Sequence, residues 1–211
     1  KPVGIIFMKP NEAKELKHWI HPAYLDEAPS LMADYKDLAA ARPGNKYYRA
    51  NAQRYMAAWK DYWNEYIPEM IETKAVPDGA SWGWYPRFTS SIDSDAGQVY
   101  NVMVHSFTPV ALKGIIFIAG ENMVKEESGA NFGEQLSALA NCWKDRFALW
   151  SDLREGTQDP HFIFTMPGQK LAPKITAPKS IKGKSVPVKI SDWMVAPEQI
   201  REEIINLYET K

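Results

Sequence analysis

The middle of the chain contains the run Gly114-Ile115-Ile116-Phe117-Ile118-Ala119, which ends in the polar turn Gly120-Glu121-Asn122. A short apolar run with a turn behind it predicts a strand that is buried on both faces of a sheet. The runs at 3–8 and 161–165 have the same pattern, and an apolar stripe at about 133–148 predicts a helix. Strand, helix and strand in this order predict a parallel sheet with a right-handed crossover. We therefore expect an α/β fold, a doubly wound three-layer αβα sandwich, because the strand–helix units are too few for a barrel.

The rest of the chain is predicted to belong to one domain over residues 1–211, with a helical insertion at about 45–73. A closing helix is expected at about 197–209. The stretch at 167–190 is rich in Pro and contains six lysines, which predicts a solvated loop; alternatively, its lysines form a patch for an anionic sugar. Aromatic and apolar residues of the insertion recur at spacings of three and four, on one helix face: Tyr55, Trp59, Tyr62, Tyr66 and Met70.

Composition and charge exclude several classes of function. The net charge is −1 and no basic stretch dominates the chain, so neither nucleic acid nor an anionic membrane is an expected partner. No apolar run is long enough to span a membrane. The one cysteine, Cys142, excludes an internal disulfide and is expected to be buried in a helix. His18 and His21 lack a third ligand at suitable spacing, so we expect surface histidines, no metal site and no cofactor.

Polar residues follow each of the three predicted strands. Gly120, Glu121 and Asn122 follow the central run, while Asn11 follows the first run and Gln169 the third. Because ligands of open parallel sheets bind beyond the carboxyl ends of the strands, these residues are candidates for a substrate or oxyanion site. A glycine there allows close approach of the backbone, and an asparagine amide can donate to a developing oxyanion.

Aromatic residues are abundant, with eight Trp, ten Tyr and eight Phe. Most are expected in the core, because large apolar rings are mainly buried. Trp82, Trp84 and Tyr85 instead lie in a stretch crowded with Pro, Gly, Ser and Asp, which predicts a loop. Flat rings exposed on a loop suit the faces of sugars, so these three residues are candidates for glycan stacking.

Several segments resemble the sialate O-acetylesterase family of SGNH hydrolases. The family carries Tyr-Asn-x-Met-Ile, a following Pro, then Ile-Lys-Gly before a strand that ends in Gly-Glu-Ser-Asn. This chain has Tyr100-Asn101-Val102-Met103-Val104, Pro109, Leu112-Lys113-Gly114 and Gly120-Glu121-Asn122 in the same order. The resemblance is concentrated in residues 99–147 and implies an SGNH-hydrolase or flavodoxin-like sandwich. It also implies hydrolysis of acetyl esters on sugars or sialic acid, in a periplasmic or extracellular protein.

The catalytic residues of that family are not found in this sequence. Its nucleophile lies in a Gly-Gln-Ser-Asn-Met element, which is expected upstream of the first strand, and its base lies in Asp-x-x-His, which occurs nowhere here. Pro10 falls where the family has an oxyanion-loop glycine, and proline has no N–H to donate. Met123 aligns with the family's asparagine, unless a one-residue shift brings in Asn122.

Three hypotheses remain open. The chain is an O-acetylesterase-like domain that is catalytically incomplete, with its remaining parts elsewhere in a larger hydrolase. Alternatively it is a non-catalytic domain that binds an acetylated glycan, or a structural domain that packs against neighbouring domains of a longer chain. An intact triad within Ser90 to Asp95 or at His105-Ser106 is not expected, since no Gly-x-Ser-x-Gly elbow is present.

Overall fold

The computed structural model describes residues 4–10, 14–73, 94–124, 126–148 and 160–209. The chain divides into two compact units, one formed by Lys1–Ala33 with Asp95–Lys211 and the other by Asp34–Ser94. The expectation of one domain with a helical insertion stays a prediction. No helix among the described residues has both the length and the apolar character that crossing a membrane requires.

A three-stranded parallel sheet organises the first unit, which confirms the α/β class. Strands β1 (Gly114–Phe117), β2 (His161–Pro167) and β3 (Ser185–Ile190) lie in the order β1-β2-β3. The register pairs Phe117 with Phe164 and Phe162 with Ser185. Since all three strands run in one direction, their carboxyl ends meet at the same edge of the sheet.

One face of the sheet is covered by the helix that crosses from β1 to β2. This helix, α4 (Phe132–Ala148), buries the predicted stripe of apolar residues. The Phe117 ring packs edge-on against Trp143 of α4, with ring centroids 6.2 Å apart, and against Trp19, with centroids 6.3 Å apart. These rings form the centre of the core because aromatic side chains bury the largest apolar areas. The buried members of the α4 stripe are Leu136, Leu139, Ala140, Trp143 and Phe147.

Two further contacts complete this unit. Helix α5 (Ala196–Glu209) packs on β3 and β2 and buries Ile200. Gly133 at the start of α4 meets the segment after β2, where a Cβ atom would lie only 2.5 Å from the Ala177 carbonyl oxygen. A side chain at position 133 would therefore push this segment away from α4. In the described part of the chain, three short 3₁₀ helices precede residue 32: Leu16–Trp19, Pro22–Glu27 and Pro29–Leu31.

The described part of the second unit is helical. Helix α1 (Met32–Ala40) leads into α2 (Lys46–Asp61), and a π-helical turn (Tyr62–Tyr66) connects α2 to α3 (Ile67–Thr73). The predicted helix at 45–73 is thus present. The π turn comes just before Pro68, because proline cannot donate the next helical hydrogen bond and the helix shifts its register there.

Two predictions about strands are wrong. Residues 4–7 are exposed, Met8 is half-buried and none of them forms a strand, although their apolar pattern predicts a buried one. An apolar pattern shows only that the side chains are compatible with a buried sheet. A strand also needs a neighbouring strand to pair with its backbone. Conversely, the expected solvated loop at 167–190 contains β3, with Pro187 and Lys189 exposed. Proline and lysine are tolerated because β3 is an edge strand, where one row of backbone groups faces away from the sheet.

Candidate functional site

The carboxyl edge of the sheet carries a shallow cleft of about 150 Å³. Glu121 comes from the turn after β1, Leu171 and Pro173 follow β2, and Trp193 follows β3. Pockets that enclose a drug-sized ligand measure roughly 300–1,000 Å³, so this cleft has room for an acetyl group or part of a sugar ring. The remaining lining residues are Val124 and Ser128.

Backbone hydrogen bonds hold the three strand ends in place. The buried Ala119 N–H donates to Thr165 Oγ1 at 2.7 Å, which ties the end of β1 to β2. The Gly168 N–H donates to the Ile190 carbonyl at 3.0 Å, which ties the turn after β2 to the end of β3. Since neither bond depends on a ligand, the cleft is largely preformed.

A left-handed turn forms one wall. Ser128 has φ 59° and Gly129 has φ 90°. The Lys174 N–H donates to the Ser128 carbonyl at 3.1 Å, and the Thr176 N–H donates to the Gly129 carbonyl at 3.3 Å. A non-glycine residue in the left-handed region costs free energy and persists only where its surroundings hold it. These two bonds supply that restraint beside the cleft.

The sequence candidates fall in different places. Glu121 lines the cleft, whereas Gly120, Asn122 and Gln169 are exposed near the same edge and are not among its lining residues. Asn11 and the stacking candidates Trp82, Trp84 and Tyr85 lie outside the described residues.

Trp193, Ser128 and Leu171 were not among the candidates from sequence. Trp193 could have been found from the sequence only if β3 had been recognised, since it follows that strand directly. Leu171 and Ser128 carry no local signal, because they reach the cleft through the turns after β2 and before α4.

His18 is not the surface histidine that was expected. Its ring is buried, Nδ1 accepts a hydrogen bond from the Glu15 N–H at 2.9 Å, and Nε2 lies 2.8 Å from Asp95 Oδ2. The Nδ1 acceptor role assigns the proton to Nε2, which donates to the carboxylate. With both nitrogens used, this imidazole has none left to take a proton from a nucleophile.

Among the described residues, His105 forms no activated pair with either of its neighbouring hydroxyl groups. His105 and Ser106 lie in a 3₁₀ helix (His105–Phe107), where the Ser106 hydroxyl donates to the Met103 carbonyl. Thr108 Oγ1 lies 3.5 Å from His105 Nδ1 but donates to the His105 carbonyl at 2.9 Å. The proton that a base would remove is thus already committed to a carbonyl oxygen.

The described part of the chain has neither a reactive cysteine nor a metal-binding cluster. Burial raises the pKa of the Cys142 thiol to about 12, and the His21 N–H donates to its sulfur at 3.4 Å. A thiol that stays protonated is a poor nucleophile. Among the described residues, no group of three or more His, Cys, Asp and Glu side chains could hold a metal ion.

No protein-family model, no curated protein and no solved structure matches the chain.

Proposed function

We propose that this chain is a carbohydrate-binding domain of the O-acetylesterase type, which holds an acetylated glycan at the carboxyl edge of its sheet without hydrolysing it alone. The proposal includes the finer fold, a three-layer SGNH-type sandwich, and a periplasmic or extracellular location. These parts rest on the resemblance of residues 99–147 to sialate O-acetylesterases. The catalytic serine and the Asp-x-x-His base of such enzymes would come from outside the residues of this chain.

The observation that carries the proposal is the composition of the cleft. Trp193 is half-buried and offers an aromatic surface, Glu121 is an exposed carboxylate that accepts hydrogen bonds, and Leu171 is apolar. Aromatic faces pack against the C–H faces of sugar rings, while a carboxylate accepts from sugar hydroxyls. The volume of the cleft, about 150 Å³, fits a small substituent such as an acetyl group better than a whole glycan.

The same geometry favours binding over hydrolysis. Ester hydrolysis by this mechanism needs a nucleophile hydrogen-bonded to a base, and donors that face the developing oxyanion. Of the two histidine candidates for that base, His18 hydrogen-bonds to Glu15 and Asp95, while His105 lies beside a hydroxyl that already donates to a carbonyl oxygen. Neither is among the residues that line the cleft. Glycan binding, unlike hydrolysis, requires only side chains that the described residues provide.

Calorimetric titration tests the proposal, with an acetylated xylo-oligosaccharide and an O-acetylated sialic acid as probes and their deacetylated forms for comparison. We expect Trp193→Ala to weaken binding roughly tenfold, because loss of one aromatic contact costs up to about 1.5 kcal/mol. Trp63→Ala is the matched control, since Trp63 is a 59% exposed tryptophan of the helical unit. Equal affinities of wild type and Trp193→Ala would contradict the cleft assignment.

Two further results would contradict parts of the proposal. If Trp84→Ala abolished binding and Trp193→Ala did not, the glycan site would belong to the loop candidates at 82–85. Turnover of p-nitrophenyl acetate by the purified chain, above that of a heat-denatured sample, would show that it contains a working nucleophile. Far-UV circular dichroism of Trp84→Ala and Trp193→Ala distinguishes a lost binding site from a misfolded variant.

A further inference from the structure

Strand β1 (Gly114–Phe117) leaves one edge of the sheet without the usual protection. Among the described residues, β1 pairs only with β2, so its other row of N–H and C=O groups has no strand beside it. The strand contains no proline and no charged residue. Native sheets normally protect such edges, because an open row of backbone groups is a template for another strand.

The opposite edge of the same sheet is protected. In β3 (Ser185–Ile190), Pro187 has no N–H to offer, and Lys189 places an exposed charge on the strand. Both features discourage pairing with a further strand. The difference between the two edges indicates that the sheet is built to end at β3 and to continue beyond β1.

Exposed apolar side chains lie on β1 and directly after it. Ile116 is 53% exposed and the following Ile118 is 44% exposed, on the face opposite Phe117. Strands of parallel sheets are normally covered on both faces. A partner that covers these isoleucines would remove apolar surface from water while it pairs with the open edge.

A segment of the chain itself has the chemistry of the missing strand. Gly4-Ile5-Ile6-Phe7 repeats the four residues of β1, Gly114-Ile115-Ile116-Phe117. In the described structure this segment forms no strand, and Ile5 is 86% and Phe7 82% exposed. A run that is apolar on both of its faces suits a strand with neighbours and covering layers on each side.

We propose that two copies of the chain associate by strand exchange, in which Gly4–Met8 of each copy adds to the free edge of β1 in the other. The exchange is reciprocal, as a twofold interface requires. It covers the exposed apolar segment and the open edge of both copies with no other component. The partner is thus a second copy of this chain, and the inference does not depend on the proposed glycan site.

Cysteine cross-linking tests which segments meet. Phe7→Cys and Ile116→Cys chains are unfolded together, refolded as a mixture and treated with a short bis-maleimide. We expect a cross-linked species of twice the 24.0 kDa chain mass in the mixture and not in either variant alone. Cys142 gives little background, because it is buried and its pKa is raised to about 12.

Sedimentation supplies the second measurement. The wild type should be dimeric, and Ile5→Lys should make it monomeric with an unchanged circular dichroism spectrum, since Ile5 is 86% exposed. Met194→Lys is the control, at another apolar residue that is 83% exposed, and should stay dimeric. A monomeric wild type would overturn the proposal. So would cross-linking of Ile116→Cys with itself, or cross-linking within a single Phe7→Cys/Ile116→Cys chain.

Discussion

At the scale of the residue, the buried ring of His18 contacts the carboxylate of Asp95 at 2.8 Å. The two side chains are 77 positions apart in sequence, so nothing near His18 indicates that it is buried against a carboxylate. Cys142 has a local signal, the apolar periodicity around it, and its burial could be predicted. Periodicity reports which face a side chain is on, but it does not report which polar group from a distant segment meets it.

The carboxylate of Asp95 should make stability depend on pH in the acid range. Burial alone would raise its pKa, but hydrogen bonds and charge interactions with His18 and Lys17 outweigh burial and lower the pKa from 3.8 to about 2. A lowered pKa means that the folded state favours the ionised form. The resulting stabilisation is fully present above about pH 4 and is lost as the pH falls through about 2.

We therefore expect Asp95→Asn to destabilise the chain at neutral pH by less than about 1 kcal/mol, since the carboxylate is half-exposed and solvent screens it. The difference from wild type should persist down to about pH 4 and shrink towards pH 2. Urea denaturation at a series of pH values measures it, with the exposed Asp26→Asn as control. A difference that is the same at pH 2 and pH 7 would refute this assignment.

At the scale of the element, local patterns predicted the helices and two strands well. The helices at 45–73, 133–148 and 197–209 and the strands at 114 and 161 follow from periodicity and caps, which depend on neighbouring residues. The errors concern strand pairing. Gly4–Met8 has the side chains of a strand but no partner strand among the described residues, and β3 has a partner despite Pro187.

Thr165 of β2 holds the end of β1 next to the candidate site. Its hydroxyl accepts from the buried Ala119 N–H, so Thr165→Val, which keeps the shape, leaves that donor unpaired. We expect a loss of about 1–3 kcal/mol in the free energy of unfolding. Thr165→Ser keeps the acceptor and should lose less. Guanidinium denaturation of both variants measures the difference, and a Val variant as stable as the wild type would show that the bond contributes nothing.

Asn45 caps helix α2 in the second unit. Its Oδ1 accepts from the N–H groups of Tyr47 and Tyr48, and its Nδ2 donates to the carbonyl groups of Ala39 and Arg42. Asn45→Ala should destabilise this unit by roughly 0.5–2 kcal/mol. Asn45→Asp retains the acceptor and should fall between Ala and wild type. Thermal unfolding is followed by circular dichroism at 222 nm, where helices give the strongest signal. The melting temperatures should rise from Asn45→Ala through Asn45→Asp to wild type, and equal melting temperatures would contradict the capping role.

At the scale of the whole molecule, the candidate site follows from strand direction. Once the sheet is known to be parallel, the rule that ligands bind at the carboxyl edge places the site, and Glu121 could be selected from the sequence alone. Trp193 could not be selected in this way, because it follows β3, and the sequence around β3 predicts a loop. The class of ligand, an acetylated glycan, stays a proposal; the hydrogen bonds of His18 leave its ring no nitrogen to act as a base.

A nuclear magnetic resonance titration can follow glycan binding at Trp193 and acetate release in the same sample. The eight tryptophans supply indole N–H signals, which are assigned by single substitution and followed as acetylated xylo-oligosaccharide is added. We expect the Trp193 signal to shift and saturate, the Trp63 signal to stay in place, and no free acetate to appear. An unperturbed Trp193 signal at saturating glycan, or a growing acetate methyl signal, would contradict the proposal.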